Sequence, residues 1–522
     1  MTARLPSRSS LACLLAVAAG CSASIRRPPP VATARVTTAS GATKDTSVRQ
    51  LDVPVSADSE AVAALVRQGM RHSRVEPDLE YLSDVIGPRM TGSEAVARAT
   101  EWTLGKFKEY RVDSAWTESW HFGRAWERGP ITLTLLAPHT RQLIGASWAW
   151  APGTKGPETG DVIYMNAQTM GEYQKEFAGA VRGKWVMTRP PTPIWNSDGP
   201  AMTAADSASA DSARKIAIAQ YRDPAAQQYR QQLPAALAND GALGVLVDGG
   251  KEFTLLTMSG SPSQLLQLPY IVVPHETFAQ FHRLLALGDT VRLRADVSNT
   301  LAQQEVDAAN TVAEIRGTTH PDEVVLLGAH LDSWDLADGT TDNGTGAIAV
   351  LEAARILAAA SVKPQRTIRF ALFTGEEEGL FGSQRYAERH AAELAKYQAV
   401  LVLDNGTGRV TGMSLQGHNE MHDLWQSLFA PVASLGPFAI QARDKGGTDH
   451  LSFIPFGVPS FNYDQLTRGY NHTHHSQADT FEHAVIGDVE QCATVMAVTA
   501  YELADLPKLL PRGAAATQVQ AR

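Results

Sequence analysis

From residue 301 to 506 the chain alternates continuously apolar runs with helical segments, and this order constrains the fold more than any other feature. "EVVLLGAHLD", "RTIRFALFTGEEEG" and "QAVLVLDNG" carry apolar residues without alternation, as strands buried on both faces do. Between them, "GTGAIAVLEAARILAAA" and "GSQRYAERHAAELAKY" repeat apolar residues at three-and-four spacing, the mark of helices. A βαβα order predicts an α/β fold: a mixed, mostly parallel sheet covered by helices on both faces.

The polar residues that close these runs fall in a pattern. His330 and Asp332 end the first, Glu376 and Glu377 the second, and Asp404 the third. Asp342 stands just before a helix that starts near Gly344. In open parallel sheets, ligands bind beyond the carboxyl ends of the strands, so these side chains share one rim. Imidazole and carboxylates without thiolates suit zinc in a hydrolytic site. A pair of such ions needs a bridging carboxylate, and a neighbouring carboxylate must take a proton from water and pass it to the leaving group. A like-charged run such as Glu376-Glu377-Glu378 after an apolar strand repels itself unless a cation is near. Glu378 is read as a surface residue, and Asp335 and Asp338 as loop residues.

The rest of the chain divides by composition. Its 522 residues fill two to four domains at roughly 100–200 residues each. Net charge is −9, which argues against a nucleic-acid partner. Residues 1–21 read as an export signal: Arg4 and Arg8, an apolar run from Leu11 to Gly20 too short to span a bilayer, then Cys21. This resembles a bacterial lipoprotein signal with a lipid anchor at Cys21, although Ala18 stands where such signals carry Leu. The expected location is the periplasm or an outer-membrane anchor, otherwise the exterior. Residues 22–58, rich in Ser, Thr, Ala and Pro, read as a disordered tether. Residues 59–125 read as helical, with Ser93 or Thr91 capping a helix. Residues 126–300 turn to short β-rich runs, interrupted by a low-complexity loop and by a broken helix over "DPAAQQYRQQLPAALANDG". From Pro511 the chain reads as a tail. Cys492 is the cysteine left outside the leader, and it reads as core rather than as part of a disulfide framework.

Taken together, "GAHLDSWDLADGTTDNGTG", "TGEEEGLFGS", "LDNGTG", "GGTDHLSF" and "HHSQADT" resemble the co-catalytic zinc exopeptidases of the bacterial aminopeptidase type. "YLSDVIGPRMTGS" fits the carboxypeptidase Q branch, and "GDVIYM", "VRGKWVMT" and "GALGVLVD" are similar to its protease-associated domain. The resemblance covers about residues 60–505. It implies a peptidase domain from 59–125 and 301–510, interrupted by a protease-associated domain at 126–300. It also implies two zinc ions per chain and hydrolysis of terminal bonds in short peptides. Asp342 would bridge the ions, His330 and Asp404 would complete one site, and Glu377 and His475 the other. Glu376 would be the base, Asp332 would orient the His330 imidazole by a hydrogen bond, and the peptide after Asp342 would be cis. Among His472, His474 and His475, the family pattern selects His475. Asn343, Asp449, His450, Tyr470 and His474 are candidate substrate contacts, and Trp334 a candidate pocket wall. The branch implies a homodimer.

The shared ligands do not choose between amino-, carboxy- and dipeptidase action. A glutaminyl cyclase-like cyclotransferase and a receptor-like relative without catalysis are the alternatives. The full ligand set and the inserted domain argue against the first, and the ligand set with an intact Glu376 argues against the second.

Overall fold

The computed structural model describes residues 50–51, 59–193 and 223–513. The expected leader, most of the tether, the low-complexity loop and most of the tail lie outside these residues. Helices α1 (Ser59–Arg71), α2 (Val75–Glu80) and α3 (Glu94–Glu109) open the described chain. Ser93 caps α3, its side chain accepting the Val96 N–H. The next stretch is not helical: Ser114–Glu127 is a long strand, β1. Its Trp120, Phe122 and Trp126 are buried while the residues between them are more open, a period-two pattern.

The chain then builds a second sheet from β2 (Ile131–Ala137), β3 (Arg141–Gln142), β4 (Ala146–Ser147), β5 (Glu158–Tyr164), β6 (Trp185–Met187), β7 (Gly244–Asp248), β8 (Tyr270–Val273) and β9 (Arg292–Val297). Their spatial order is β3-β2-β9-β5-β6-β7-β8-β4. Helices α4 (Met170–Glu176), α5 (Pro224–Asn239) and α6 (His275–Ala286) accompany it. The expected break in α5 is absent: Pro234 sits inside a continuous helix.

Strand β10 (Thr300–Ile315) returns along β1, with Thr300 paired to Glu127, so the second sheet leaves and rejoins the first at one place. There follow β11 (His320–His330), α7 (Thr345–Ala359), β12 (Arg366–Phe373), α8 (Phe381–Arg389), β13 (Tyr397–Val402), β14 (Val410–Ser414), α9 (His422–Phe429), β15 (Ala439–Gln441), β16 (Ser460–Gln465), α10 (Tyr470–Thr473) and α11 (Ile486–Asp505). The first sheet runs β1-β10-β12-β11-β13-β16-β14-β15. Its centre, β12-β11-β13-β16, is parallel, and antiparallel strands flank it on both sides. The fold is therefore mixed α/β, as the strand–helix order predicts.

Helices α7 and α11 are buried nearly all round, which places them inside the molecule rather than on it. With α1 they cover one face of the first sheet, and Tyr386 and Ala387 of α8 cover the other. Cys492 is buried in α11, and its thiol is pushed up to about 12 by burial. Trp120, Trp126, Trp150, Trp334 and Met258 form one apolar cluster, drawn from β1 and from the loops after β4, β7 and β11. Among the described residues, no helix is long and apolar enough to cross a membrane.

Candidate metal centre

Register brings the strand ends level. His330 pairs with Phe373 on β12, and Gly328 pairs with Val402 on β13. His330, Glu376 and Asp404 therefore emerge side by side. His330 Nε2 lies 3.5 Å from Asp404 Oδ1, 3.5 Å from Asp342 Oδ1 and 3.9 Å from Glu376 Oε2. On the far side of Asp342, its Oδ2 lies 3.4 Å from His475 Nε2, which is 2.9 Å from Glu377 Oε2. Ligand atoms of His330, Asp342 and Asp404 cluster closely enough to hold one metal ion, as do those of Asp342, His474 and His475. Asp342 belongs to both groups. The Asp342–Asn343 peptide is cis.

The electrostatics are those of a crowded carboxylate site. Burial raises the Glu376 carboxyl well above its ordinary range, and Asp404 and Glu377 push the same way. Burial likewise raises Glu377, helped by Asp342. At His330, burial acts downward, but Asp404 and Glu376 outweigh it and raise the imidazole. Burial opposes ionisation of Asp342, yet His330, His474 and His475 hold its carboxyl below the usual range. Asp342 Oδ2 and Glu377 Oε1 are buried with no hydrogen-bond partner. Unpaired buried carboxylate oxygens are costly unless a cation meets them. A dication between imidazole and carboxylate donors would supply what they lack, so the residues fit zinc.

Asp332 is completely buried, but its carboxylate does not reach the imidazole. His330 Nδ1 is 3.1 Å from the Asp332 backbone carbonyl and 3.8 Å from Oδ1. The carboxylate instead accepts the Thr91 hydroxyl at 3.1 Å and the backbone N–H groups of Glu376 and Glu377 at 3.4 and 3.3 Å. It thus caps the turn that carries both glutamates.

A cleft of about 450 Å³ opens over this group, lined by Asp342, Glu376, Glu377, Asp404, Tyr470 and His474 among others. The Tyr470 hydroxyl donates to Asp342 Oδ1 at 3.0 Å. Asn343, Asp449 and His450 do not line the cleft. The Asn343 amide donates to Leu403 O and accepts the Gly346 N–H. Asp449 and His450 are wholly buried, and burial brings the His450 imidazole down to about 4. Trp334 stands edge-on to His475, with ring centroids 6.0 Å apart. Asp335 pairs with Arg128. Glu378 is buried rather than exposed, and Ser261 Oγ, from the loop between β7 and β8, donates to its backbone carbonyl.

Two supporting residues escape a reading of the sequence. Arg89 is fully buried, and its guanidinium donates to the carbonyls of Gly87, Leu331, Asp338 and Gly339. Burial lowers it to about 10. It clamps the loop between His330 and Asp342. Asp479 accepts the backbone N–H groups of Thr341 and Asp342 at 2.6 and 3.1 Å. Its place in "HHSQADT" is a signal that it belongs here; Arg89 has none beyond "YLSDVIGPRMTGS".

Comparison with known proteins finds relatives in sequence and in fold. Residues 310–500 match the model of Peptidase family M28. Carboxypeptidase Q of Rattus norvegicus is 27% identical over 462 residues, covering 87% of this chain and 90% of its own. The crystal structure of a Peptidase M28 precursor from Shewanella amazonensis SB2B shares the fold at TM-score 0.70 and 24% identity, covering 87% of this chain and 99% of its own. BSAP, a zinc aminopeptidase from Bacillus subtilis, shares it at TM-score 0.58 and 19% identity, covering 84% of this chain and 98% of its own. The stretch from 310 to 500 contains His330, Asp342, Glu377, Asp404 and His475, so these candidate ligands all lie within the part of the chain that matches Peptidase family M28.

Proposed function

We propose that this enzyme hydrolyses a terminal peptide bond of short peptides with water activated between two zinc ions. The observation that carries this reading is the membership of Asp342 in both groups of candidate ligands. His330 and Asp404 would complete one site, and Glu377 and His475 the other. Bound zinc supplies Lewis acidity, lowering the pKa of water and polarising the scissile carbonyl. Glu376, half-buried in the cleft lining beside these residues, is placed to take a proton from water and deliver it to the leaving amine. Tyr470 holds Oδ1 of Asp342 and keeps the shared carboxylate in place. We read the second sheet as a protease-associated domain capping the cleft, so that short peptides enter and long ones do not. The leader fits an exported enzyme, held at a membrane by a lipid on Cys21.

A panel of free dipeptides, N-blocked dipeptides and aminoacyl-anilides, assayed with and without chelator, tests this. Chelator-sensitive release of terminal residues is expected, with two zinc ions per chain by metal analysis. Turnover indifferent to chelator would overturn the reading. One firmly bound ion with cyclising activity would favour the cyclotransferase alternative.

A further inference from the structure

His475 adopts φ +57°, a left-handed conformation that costs energy in any residue with a side chain. Something must hold it there, and the contacts that do so come largely from the second sheet. After Asp248 at the end of β7, residues 249–258 run as a strap along residues 471–477. The Met258 N–H donates to the His475 carbonyl at 2.8 Å. Two residues beyond His475, the Gln477 amide grips the strap twice. Its Oε1 accepts the Leu256 N–H at 2.9 Å, and its Nε2 donates to the Thr254 carbonyl at 3.2 Å. Lys251 Nζ donates to the carbonyl of Asn471. The Phe253 and His472 rings lie 5.8 Å apart. None of these contacts touches the His475 imidazole, which faces Glu377 and Asp342.

The other end of the same segment is fixed to the first sheet, because Asp479 accepts the Thr341 and Asp342 N–H groups. His475 thus stands between two anchors, one on each sheet. The strap itself carries left-handed residues, Phe253 at φ +62° and Thr254 at φ +59°. Strap and histidine segment each hold the other in a conformation neither favours alone. Two neutral hydrogen bonds are comparable in strength to one left-handed side-chain residue, so the Gln477 grip is of the size needed to matter.

We propose that Gln477 is a positioning residue: by gripping the strap it fixes the His475 backbone, and so sets the affinity of the zinc ion that His475 and Glu377 share. The inference rests on the two-zinc reading above and deepens it. It makes the second sheet part of one metal site and not of the other. Partners that orient metal ligands are commonly worth about 10–100-fold in affinity.

The test is zinc titration of the full chain against a competing chromophoric chelator, with His475→Ala marking which ion is lost. Gln477→Ala should weaken one ion about 10–100-fold and leave the second at its wild-type affinity. Gln477→Glu keeps the acceptor for Leu256 and loses the donor, so it should fall between. Met258→Pro, which removes the N–H bonded to His475, should weaken the same ion. The retained ion reports that each variant is folded. Wild-type affinity for both ions in Gln477→Ala and Met258→Pro would overturn the proposal, as would equal weakening of both. Fewer than two ions in the wild type would instead contradict the two-zinc reading. The effect of Gln477→Ala on the ion removed by His475→Ala would still decide the role of Gln477.

Discussion

The Asp332 carboxylate accepts the Glu377 backbone N–H at 3.3 Å, so a residue at the end of one strand fixes the turn at the end of the next. Asp332→Asn turns one acceptor oxygen into an NH₂ group, which cannot receive an N–H. The turn should then loosen, and with it both glutamates. We expect zinc affinity and kcat/KM to fall together by about 10–100-fold, read by metal titration and steady-state kinetics. A loss confined to KM would contradict a role in positioning the turn.

Glu376 is predicted to separate chemistry from metal binding. Glu376→Gln preserves volume and removes the proton acceptor. Zinc content should remain at the wild-type value while kcat falls by about 10²–10⁴-fold. Near-normal turnover in a fully loaded variant would remove Glu376 from the mechanism.

Arg89 should matter to both ions and to folding. Its four carbonyl partners lie in loops around Asp342, the carboxylate common to both ligand groups. Arg89→Met leaves those buried carbonyls without donors, at about 1–3 kcal/mol for each one that water does not reach. Urea unfolding should show a loss of at least about 3 kcal/mol, and titration should show both ions weakened. Arg89→Lys should recover only part, because an ammonium lacks the planar fork.

Lys445 gives a pH signature outside the ligand set. Burial draws its ammonium from 10.5 down to about 8, against the pull of Asp464. The folded chain therefore releases this proton before the unfolded chain does. Its contribution to stability rises with pH between about 8 and about 10.5, and below that window the buried charge is a burden. Relative to Lys445→Met, the wild type should gain on the order of 2–3 kcal/mol between pH 7 and pH 10.5 in paired urea melts. A constant difference across that range would contradict the shift.

How far the sequence reaches depends on where the cause of each feature lies. His330, Glu376, Glu377 and Asp404 are legible at the ends of their strands because a parallel sheet presents its carboxyl ends to one rim. Helices α7 and α11 are legible from their spacing. Strand β1 is not: its Trp, Glu and His residues form a weak apolar pattern, and its burial comes from β10, which lies far along the chain. Glu378 reads as exposed because a carboxylate normally is, and its burial comes from packing that the local sequence does not reveal. The Asp332 carboxylate reads as a partner for His330 by proximity in sequence. In the fold, the backbone carbonyl takes that place, and the carboxylate is free to cap a turn 44 residues away. Arg89 and Gln477 act on backbone atoms, which carry no residue identity for a pattern to detect.

The parallel centre of the first sheet has one more consequence. Three adjacent strands, β12, β11 and β13, each deliver candidate ligands from one end. A slip of one residue in any of them would carry its ligand about 3.3 Å along the sheet and turn it to the opposite face. No slipped pairing could then assemble the full set. Zinc should therefore act as a proofreader of strand alignment, rewarding the native register and no other, and metal capture should report that the whole sheet has closed.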